Sequence, residues 1–300
     1  MDEIATTTLT GPLTGGESDA TVTLRPMLTG EISVPEEFFN CRPGPIGKIK
    51  GLGLAGGGTG RVWAPIPAFL IEHPTAGLVL VDTGVHPAIV HDPSAILGRL
   101  GTAVYRVRAS AEQPVPVRLR ALGIDSREIK TIVLTHLHWD HAAAVSEFPA
   151  ATFVVSGTEW DSAHQSRGFA RGYIKRLFDH AFDYRLVDYD AATISSFATF
   201  GRSFDLFGDG SIVLVSTPGH SAGHQSVVVR VPGREILLCG DAAYTREAIE
   251  TDVKPVVIED EHNYRRSIKE LRAYAELTPS SLIIPSHDRE TWSRLDELYT

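Results

Sequence analysis

The stretch Thr135-His136-Leu137-His138-Trp139-Asp140-His141 decides the kind of fold this chain can have. It follows the short run Thr131-Ile132-Val133-Leu134, whose apolar and β-branched residues are typical of a buried strand. Because side chains alternate along an extended segment, His136 and His138 point the same way and can share one ion. Asp140 and His141 lie past the strand end, where the chain turns into a helix. The motif therefore predicts ligands for two adjacent metal ions.

Composition and charge limit the class of protein. The 300 residues are 43% hydrophobic and 22% charged, which is typical of a globular enzyme. A net charge of −9 makes nucleic acid a poor partner, because phosphate backbones would repel the chain. No stretch approaches the roughly 18 apolar residues of a membrane helix, and the acidic start, Met1 to Ala5, lacks the pattern of a secretory signal. We expect a soluble, cytoplasmic protein with no membrane or nucleic-acid partner.

The two cysteines and the strand pattern predict one globular unit. Cys41 and Cys239 form no disulfide framework, and Cys239 lies in an apolar run expected in the core. Residues 1–20 are rich in Thr, Gly and Ser and are expected to be a flexible lead-in to a single domain, 21–300. Two strand-rich halves with covering helices predict two packed sheets with helices outside. The predicted strands are 69–71, 78–81, 131–134, 153–155, 212–215, 226–231, 235–239 and 281–284, with helices near 117–122 and 261–276.

Three further candidate ligands each follow a predicted strand. His220 lies in a turn-rich segment after 212–215, Asp241 follows 235–239, and His287 follows the last strand. Ends of strands gather at one edge of a sheet, so these side chains are expected to converge. We assign His136, His138 and His220 to one ion and Asp140, His141 and His287 to the other, and Asp241 can bridge both. Imidazole and carboxylate ligands without thiolate suit Zn²⁺, but also admit Mn²⁺, Co²⁺ or Fe.

Two more polar residues are predicted to brace these ligands rather than bind metal. Asp82 ends the strand 78–81 and is expected to orient a ligand histidine. His224 is expected to support the loop that carries His220. The remaining histidines lack ligand spacing and are interpreted as structural or exposed: His73, His86, His91, His164, His180 and His262.

The segment 157–182 has a four-residue repeat. Phe169, Tyr173 and Leu177 recur every four residues, and the basic residues Arg167, Arg171 and Lys175 lie two positions earlier. Two positions on a helix correspond to about 200°, so the pattern predicts an amphipathic helix with opposed apolar and basic faces. Two interpretations remain open: a peripheral helix with a solvated basic face, or a helix whose apolar side covers the metal site and contacts substrate.

The order of His136-x-His138-x-Asp140-His141, His220, Asp241 and His287 resembles the metallo-β-lactamase superfamily over about 66 to 290. Within it, the chain is most similar to the N-acyl-homoserine lactone lactonases, through Leu80 to Gly84, Thr217 to Ser226, Asp241 to Glu247 and Ser286 to Asp288. One departure is Ala142-Ala143-Ala144, where many members carry glycine. The resemblance implies an α/β fold, an αββα sandwich of two mixed β-sheets with helices on the outer faces.

The resemblance also implies a chemistry. A hydrolase of this kind holds two divalent ions per chain, and a hydroxide that both ions bind would open the lactone ring of N-acyl homoserine lactones, which is quorum quenching. Tyr244, three residues after Asp241, matches the tyrosine that reaches the substrate in the lactonases, and Asp140 is the candidate for proton transfer. A pyridoxolactone-like lactone or another ester is the alternative substrate, and monomer or homodimer are both open.

The expected substrate pocket draws on two regions of weak or no motif. One is the loop region 36–63, with Phe38, Phe39, Leu52, Leu54 and Trp63, and the other is the face of Phe169, Tyr173 and Leu177. A β-lactamase is disfavoured by the absence of an export signal, and a nuclease by the negative charge. An intact set of seven ligands plus Tyr244 disfavours a non-catalytic protein.

Overall fold

A computed structural model describes residues 4–41, 44–51, 60–165, 168–251 and 253–300. In the first half of these ranges the elements are β1 (Thr6–Thr8), β2 (Thr23–Pro35), α1 (Pro45–Gly51), β3 (Arg61–His73), β4 (Gly77–Val81), α2 (Pro93–Val104), β5 (Arg106–Arg108), α3 (Val115–Ala121), β6 (Ile129–Val133), α4 (Trp139–Ala142), β7 (Thr152–Ser156) and α5 (Gly157–His164). The second half contains β8 (Asp183–Val187), β9 (Ser195–Phe197), β10 (Phe200–Asp205), β11 (Ile212–Ser216), β12 (Gln225–Val231), β13 (Arg234–Gly240), α6 (Arg246–Glu250), α7 (Glu261–Leu277), β14 (Leu282–Pro285) and α8 (Arg289–Trp292).

The strands form two mixed sheets. One has the order β1-β8-β7-β6-β4-β3-β2-β5, with β4, β6, β7 and β8 parallel and β2, β3 and β4 antiparallel. The other has the order β14-β13-β12-β11-β10-β9, in which β13 and β14 are parallel and the remaining pairs antiparallel. Parallel strands have their carboxyl ends at one edge, so each sheet offers one edge where successive loops meet.

Alternation along the strands fixes the layers. Ile71 on β3 and Val79 on β4 point into a core shared with Leu214 and Val229 of the second sheet. Leu70 and Leu80, their neighbours, point to the opposite face, where α3 and α5 cover the first sheet. The outer face of the second sheet, including Cys239, is covered by α6 and α7. Helix, sheet, sheet and helix thus stack in order, and the expected αββα sandwich is confirmed.

The predicted helix over 157–182 is wrong. Helix α5 ends at His164, and the described residues after it form two short 3-10 turns, Gly168–Arg171 and Lys175–Leu177. Gly172 has φ +95°, a left-handed conformation that breaks any helix there, and a Cβ at this position would lie 2.9 Å from Cδ2 of His138. The four-residue repeat is therefore not a helical stripe. Arg167 lies outside the described residues.

The N-terminal region is more regular than its composition predicts. Within the expected lead-in, Thr6–Thr8 pairs in parallel with β8, and Leu9 is buried between the sheets. Part of the region 36–63 is also regular rather than loop, with a 3-10 turn at Glu36–Phe38 and Trp63 inside β3. Leu52 and Leu54 lie outside the described residues. The single domain 21–300 stays a prediction.

In the described part of the chain, no helix combines the length and the apolar character needed to cross a membrane.

Candidate metal centre and active-site cavity

Five strand ends meet where the two sheets face each other. β4 and β6 of the first sheet are followed by Asp82 and by the histidine motif. β11, β13 and β14 of the second sheet run the same way and are followed by His220, Asp241 and His287. In both sheets, the candidate residues lie in loops at the carboxyl ends of the strands. The site therefore lies between the two sheets.

All seven candidate ligands are buried and converge in two groups. Within each group, one ligand atom from every residue lies within 4.8 Å of the others. The first group is His136, His138, His220 and Asp241, and the second is Asp140, His141 and His287. In the first group, Nδ1 of His138 and Nε2 of His220 face each other at 2.9 Å. The grouping matches the assignment from the sequence, and the residues' role as ligands stays a proposal.

Asp241 stands between the groups. Its Oδ2 lies 3.3 Å from Nε2 of His220 and 3.8 Å from Nε2 of His136. Its Oδ1 lies 3.2 Å from Nε2 of His141 and 3.3 Å from Nε2 of His287. One oxygen therefore faces each group, which is the arrangement a carboxylate needs to bridge two ions.

The unpaired atoms of the cluster fit cations. Nε2 of His136, Nε2 of His141 and Oδ1 of Asp241 are buried and have no hydrogen-bond partner. Buried polar groups are almost always paired, so three such atoms aimed at one space indicate a missing partner. Each atom can offer a lone pair, and one divalent ion in each group would satisfy all three. Imidazole and carboxylate donors of this kind are common ligands of Zn²⁺.

Burial and the Asp241 carboxylate set the protonation of the candidate ligands. Burial lowers the pKa of His136 and of His220 well below the usual value, so both rings stay neutral. Burial raises the pKa of Asp241, but the neighbouring His287, His141 and His220 outweigh it and hold the pKa well below its usual range. Burial also lowers the pKa of His141 and of His287, but the Asp241 carboxylate outweighs it and raises both, so a cation that binds the second group would displace protons from these rings.

Asp82 contacts the histidine motif at two places. Its carboxylate accepts hydrogen bonds from the Thr135 backbone N–H at 2.7 Å and from the Thr135 hydroxyl, and it lies 2.7 Å from Nδ1 of His141. The contact holds the His141 ring with Nε2 toward Asp241. Asp82 itself has φ +59°, a conformation that aspartate tolerates better than most residues.

His224 and His287 are fixed by their other ring nitrogens. Nε2 of His224 accepts the Asp241 backbone N–H at 2.9 Å, and its Nδ1 faces the Thr217 hydroxyl at 2.9 Å. Both nitrogens of His224 are thus engaged with protein, which fits a bracing role. In His287, Nδ1–H donates to the Pro65 carbonyl at 2.8 Å, which leaves Nε2 free to face Asp241.

A cavity of about 320 Å³ opens onto the candidate ligands. Its polar floor includes His138, Asp140 and Tyr244, and its apolar wall is formed by Ile32, Val34, Phe38, Phe39, Trp139 and Val257. The Tyr244 ring stacks on Phe38 with centroids 5.7 Å apart, and its hydroxyl lies 3.1 Å from Nδ1 of His220. Burial and the nearby Asp241 raise the pKa of Tyr244 well above its usual value, so the hydroxyl keeps its proton.

The predicted pocket residues fall mostly elsewhere. Trp63 lies under the guanidinium of Arg108, 4.1 Å from its ring centroid, and does not line the cavity. Tyr173 packs behind His138 with ring centroids 4.9 Å apart, and Leu177 is in the core beside Trp139. The Phe169 side chain lies outside what the structure describes. Of the apolar residues named for the pocket, Phe38 and Phe39 do line it.

Three residues near the site have no sequence motif of their own. Tyr105 and Arg171 line the cavity, and Glu159 is buried beneath the first ligand group. A signal for Glu159 existed: it lies three residues after β7, just as His136 lies three residues after β6. An acidic residue at the carboxyl end of an interior parallel strand could have marked it as part of the site.

Fold and site together define a hydrolase-type dinuclear metal centre between two sheets. A model of the metallo-beta-lactamase superfamily matches residues 61–287, and the chain belongs to that superfamily. Among curated relatives, it is 33% identical to N-acyl homoserine lactonase AttM of Rhizobium radiobacter, over 76% of this chain and 84% of that one. It is 30% identical to a probable metallo-hydrolase of Mycobacterium bovis, over 72% of each.

Solved structures show the same fold. A variant of AiiA from B. thuringiensis, with N-decanoyl-L-homoserine bound at its active site, superposes with a TM-score of 0.72 and 23% identity, over 95% of this chain and 98% of that one. An N-acyl homoserine lactone hydrolase with N-hexanoyl-L-homoserine at its catalytic metal centre gives a TM-score of 0.72 at 22% identity, over 95% and 98%.

Proposed function

We propose that this protein opens the lactone ring of N-acyl homoserine lactones by hydrolysis. The observation that carries the proposal is the Tyr244 hydroxyl, protonated and 3.1 Å from His220, at the floor of a cavity with an apolar wall. The curated relatives named N-acyl homoserine lactonase support the substrate class. Their similarity spans 76% and 77% of the chain. The superfamily match, 61–287, includes every candidate ligand.

The seven candidate ligands would hold two divalent ions, for which we propose Zn²⁺. His136, His138 and His220 would hold one, Asp140, His141 and His287 the other, and Asp241 would contact both. Such a pair of ions, when bound, lowers the pKa of a shared water toward neutrality and polarises a carbonyl.

Tyr244 is the donor to the developing oxyanion. If Nε2 of His220 faces an ion, its proton is on Nδ1, and Nδ1–H donates to the Tyr244 oxygen. The Tyr244 hydroxyl hydrogen is then left to point into the cavity. A donor that is already fixed in a buried site stabilises a negative oxygen without the reorganisation that water would need. Loss of one such donor raises the activation free energy by about 2.7–4 kcal/mol.

Asp140 moves the proton. The water oxygen bonds to the lactone carbonyl carbon, the ring C–O bond breaks, and its electron pair goes to the ring oxygen, which takes a proton and becomes the homoserine hydroxyl. Asp140 lines the cavity, with Oδ2 3.7 Å from Nε2 of His287, and can pass that proton from the water to the ring oxygen. The product is an acyl homoserine carboxylate, so one proton is released per turnover near neutral pH.

The acyl chain would lie on the apolar wall. Phe38 and Phe39 surround the Tyr244 ring, each with its ring centroid 5.7 Å from it, and Trp139 continues the wall beside Asp140. Each methylene buried there contributes about 0.8 kcal/mol. Chain length should therefore change affinity without changing the ring chemistry.

The test is ring opening by the purified, zinc-loaded protein. N-acyl homoserine lactones of short and long chain are followed by proton release, and the product is identified by mass spectrometry as the lactone plus one water. We expect turnover of the series, abolished in Asp241→Ala and unaffected in His164→Ala, whose ring contacts Asp179 and belongs to neither ligand group. A protein that leaves every acyl homoserine lactone intact and opens a pyridoxolactone-like compound or another ester would refute the substrate assignment.

A further inference from the structure

Glu159 is a fully buried acid with no role in the chemistry described so far. It lies in the first turn of α5, three residues after β7 ends, and none of its surface is exposed. Burying a carboxylate is costly unless it is well hydrogen-bonded, so its partners indicate why it is there.

Its partners are the two loops that carry the first group of candidate ligands. Oε1 accepts the backbone N–H of Leu137 at 3.1 Å, and Leu137 lies between His136 and His138. Oε2 accepts the Ser221 hydroxyl at 2.7 Å and the Gly223 backbone N–H at 3.0 Å, and Ser221 directly follows His220. One side chain thus connects a loop of the first sheet to a loop of the second.

Only a carboxylate can make this connection. Donors approach both oxygens, and two of them are backbone N–H groups that cannot turn into acceptors. A glutamine would place its NH₂ against an N–H at one end and leave that donor unpaired. The loop is also close: a Cβ on Gly223 would lie 2.1 Å from the Glu159 nitrogen, so the backbones meet with no space for a side chain.

We propose that Glu159 is a positioning residue for the first metal: it holds the His136–His138 loop and the His220 loop at the spacing that one ion requires. The inference rests on the proposed dinuclear function. Glu159 touches no reacting atom, and it acts through His136, His138 and His220.

The experiment measures metal affinity and stability separately. His287→Ala provides a background in which the second group is incomplete, so that bound Co²⁺ or Zn²⁺ reports the first group. Glu159→Gln in that background is titrated with Co²⁺ against a chelator, and the visible spectrum of the bound Co²⁺ is recorded. The matched control is Asp209→Asn, since Asp209 is also a buried carboxylate that accepts two backbone N–H bonds, from Glu17 and Ser211, but away from the metal loops.

We expect Glu159→Gln to weaken the affinity of the first group by about 10- to 100-fold and to alter the Co²⁺ spectrum, as loss of an outer hydrogen-bond partner does in other metal sites. Asp209→Asn should lower the melting temperature of the metal-free protein while its Co²⁺ affinity stays within about threefold of the parent. Should Glu159→Gln not fold, Ser221→Ala removes one of the three bonds and is expected to weaken affinity by a smaller factor in the same assay.

An unchanged affinity and spectrum in a folded Glu159→Gln variant, or in Ser221→Ala if Gln does not fold, would overturn the positioning role and leave the lactonase proposal intact. Failure of the proposed function is seen separately, in the unmutated protein, as an inability to hold two ions or to open lactones. Equal losses of metal affinity in Glu159→Gln and Asp209→Asn would also overturn the inference, because general destabilisation would then explain both.

Discussion

Asp241 connects the two ligand groups through a single side chain. Its location at the end of a strand was predictable from the sequence, because Gly240-Asp241 follows an apolar run. The direction of each oxygen was not, because it depends on Gly240, which has φ +55° and approaches His224 so closely that a Cβ would lie 2.6 Å from Nε2. Spacing along the chain identifies the candidate ligands, whereas the backbone around them sets which of the two groups each atom faces.

Replacing Asp241 and His287 should empty the site to different degrees. Asp241→Ala removes an oxygen from each group and is expected to leave less than one equivalent of metal after dialysis. His287→Ala removes a ligand only from the second group and should leave about one equivalent. Elemental analysis checks this, with His164→Ala as the control that keeps two. Equal metal loss in the two ligand variants would contradict the bridging position of Asp241.

Tyr244→Phe removes one hydroxyl from the cavity floor. We expect the metal content and melting temperature to stay close to the parent while kcat falls about 100- to 1000-fold, the range for loss of one oxyanion donor. Because the donor acts in the transition state, KM should change less than kcat. The control is Tyr184→Phe, whose hydroxyl donates to the Phe178 carbonyl in the core and should affect stability alone. Unchanged kinetics in Tyr244→Phe would remove this residue from the mechanism.

At the scale of secondary-structure elements, the segment 157–182 is the clearest case in which the sequence pattern predicts the wrong structure. Tyr173 and Leu177 repeat at helical spacing, yet each is buried for a separate reason, one against His138 and the other beside Trp139. Gly168 and Gly172 were the available warning, because glycine at both positions disfavours a continuous helix. Strands such as β3, β4 and β11 to β13 were predictable, since their β-branched runs are bounded by turn residues.

The 3-10 turn at Glu36–Phe38 should set the preference for acyl chain length. Phe38 is half-buried and stacks on Tyr244, so Phe38→Ser removes apolar area from the wall but no group from the floor. We expect kcat/KM for long-chain lactones to fall several-fold more than for short-chain lactones, because each buried methylene contributes about 0.8 kcal/mol. Kinetics across the series test this, with Phe197→Ser at the far edge of the second sheet as the control. An equal loss at every chain length would place the acyl chain elsewhere.

At the scale of the whole molecule, layer order was predictable and the edges of the sheets were not. Alternation in Leu70-Ile71 and Val79-Leu80 requires two buried faces and hence a second layer on each side. β2 was missed, because Pro26 and Gly30 interrupt its pattern; it is accommodated by an irregular register with β3 between Leu28 and Gly30. β1 and β5 are three residues each, too short for any periodicity to be visible.

A buried acid far from the site should control stability at low pH. Asp209, between β10 and β11, pairs with His73 of β3 at 2.9 Å and accepts the Glu17 N–H, so it connects both sheets with the N-terminal segment. Burial raises its pKa, but hydrogen bonds from Ser211, Glu17 and His73 outweigh this and lower it to about 2. A carboxyl group with a lower pKa in the folded state stabilises the fold at pH values above its unfolded pKa of about 3.9. This stabilisation is lost as the pH falls toward 2.

We therefore expect Asp209→Asn to lower the melting temperature near pH 7, and the difference from the parent to shrink as pH falls from about 4 to 2. Thermal unfolding followed by circular dichroism at a series of pH values measures both. Glu290→Gln, at an exposed ion pair with Arg294, is the control and should differ little from the parent at any pH. A difference in melting temperature that stays constant down to pH 2 would show that Asp209 stabilises the fold through packing rather than through its charge.

The candidate ligands come from both sheets, with His136, His138 and His141 following β6 and His220, Asp241 and His287 following strands of the other sheet. Bound ions would therefore link the two sheets, and the resistance of the protein to unfolding would depend on the free metal concentration around it. Each tenfold rise in free metal above the dissociation constant should add about 1.4 kcal/mol per site to the free energy of unfolding. Unfolding measured in zinc buffers would reveal that slope, and resistance to proteases should rise in parallel. A free energy of unfolding that does not change with free zinc would mean that bound ions do not stabilise the contact between the two sheets.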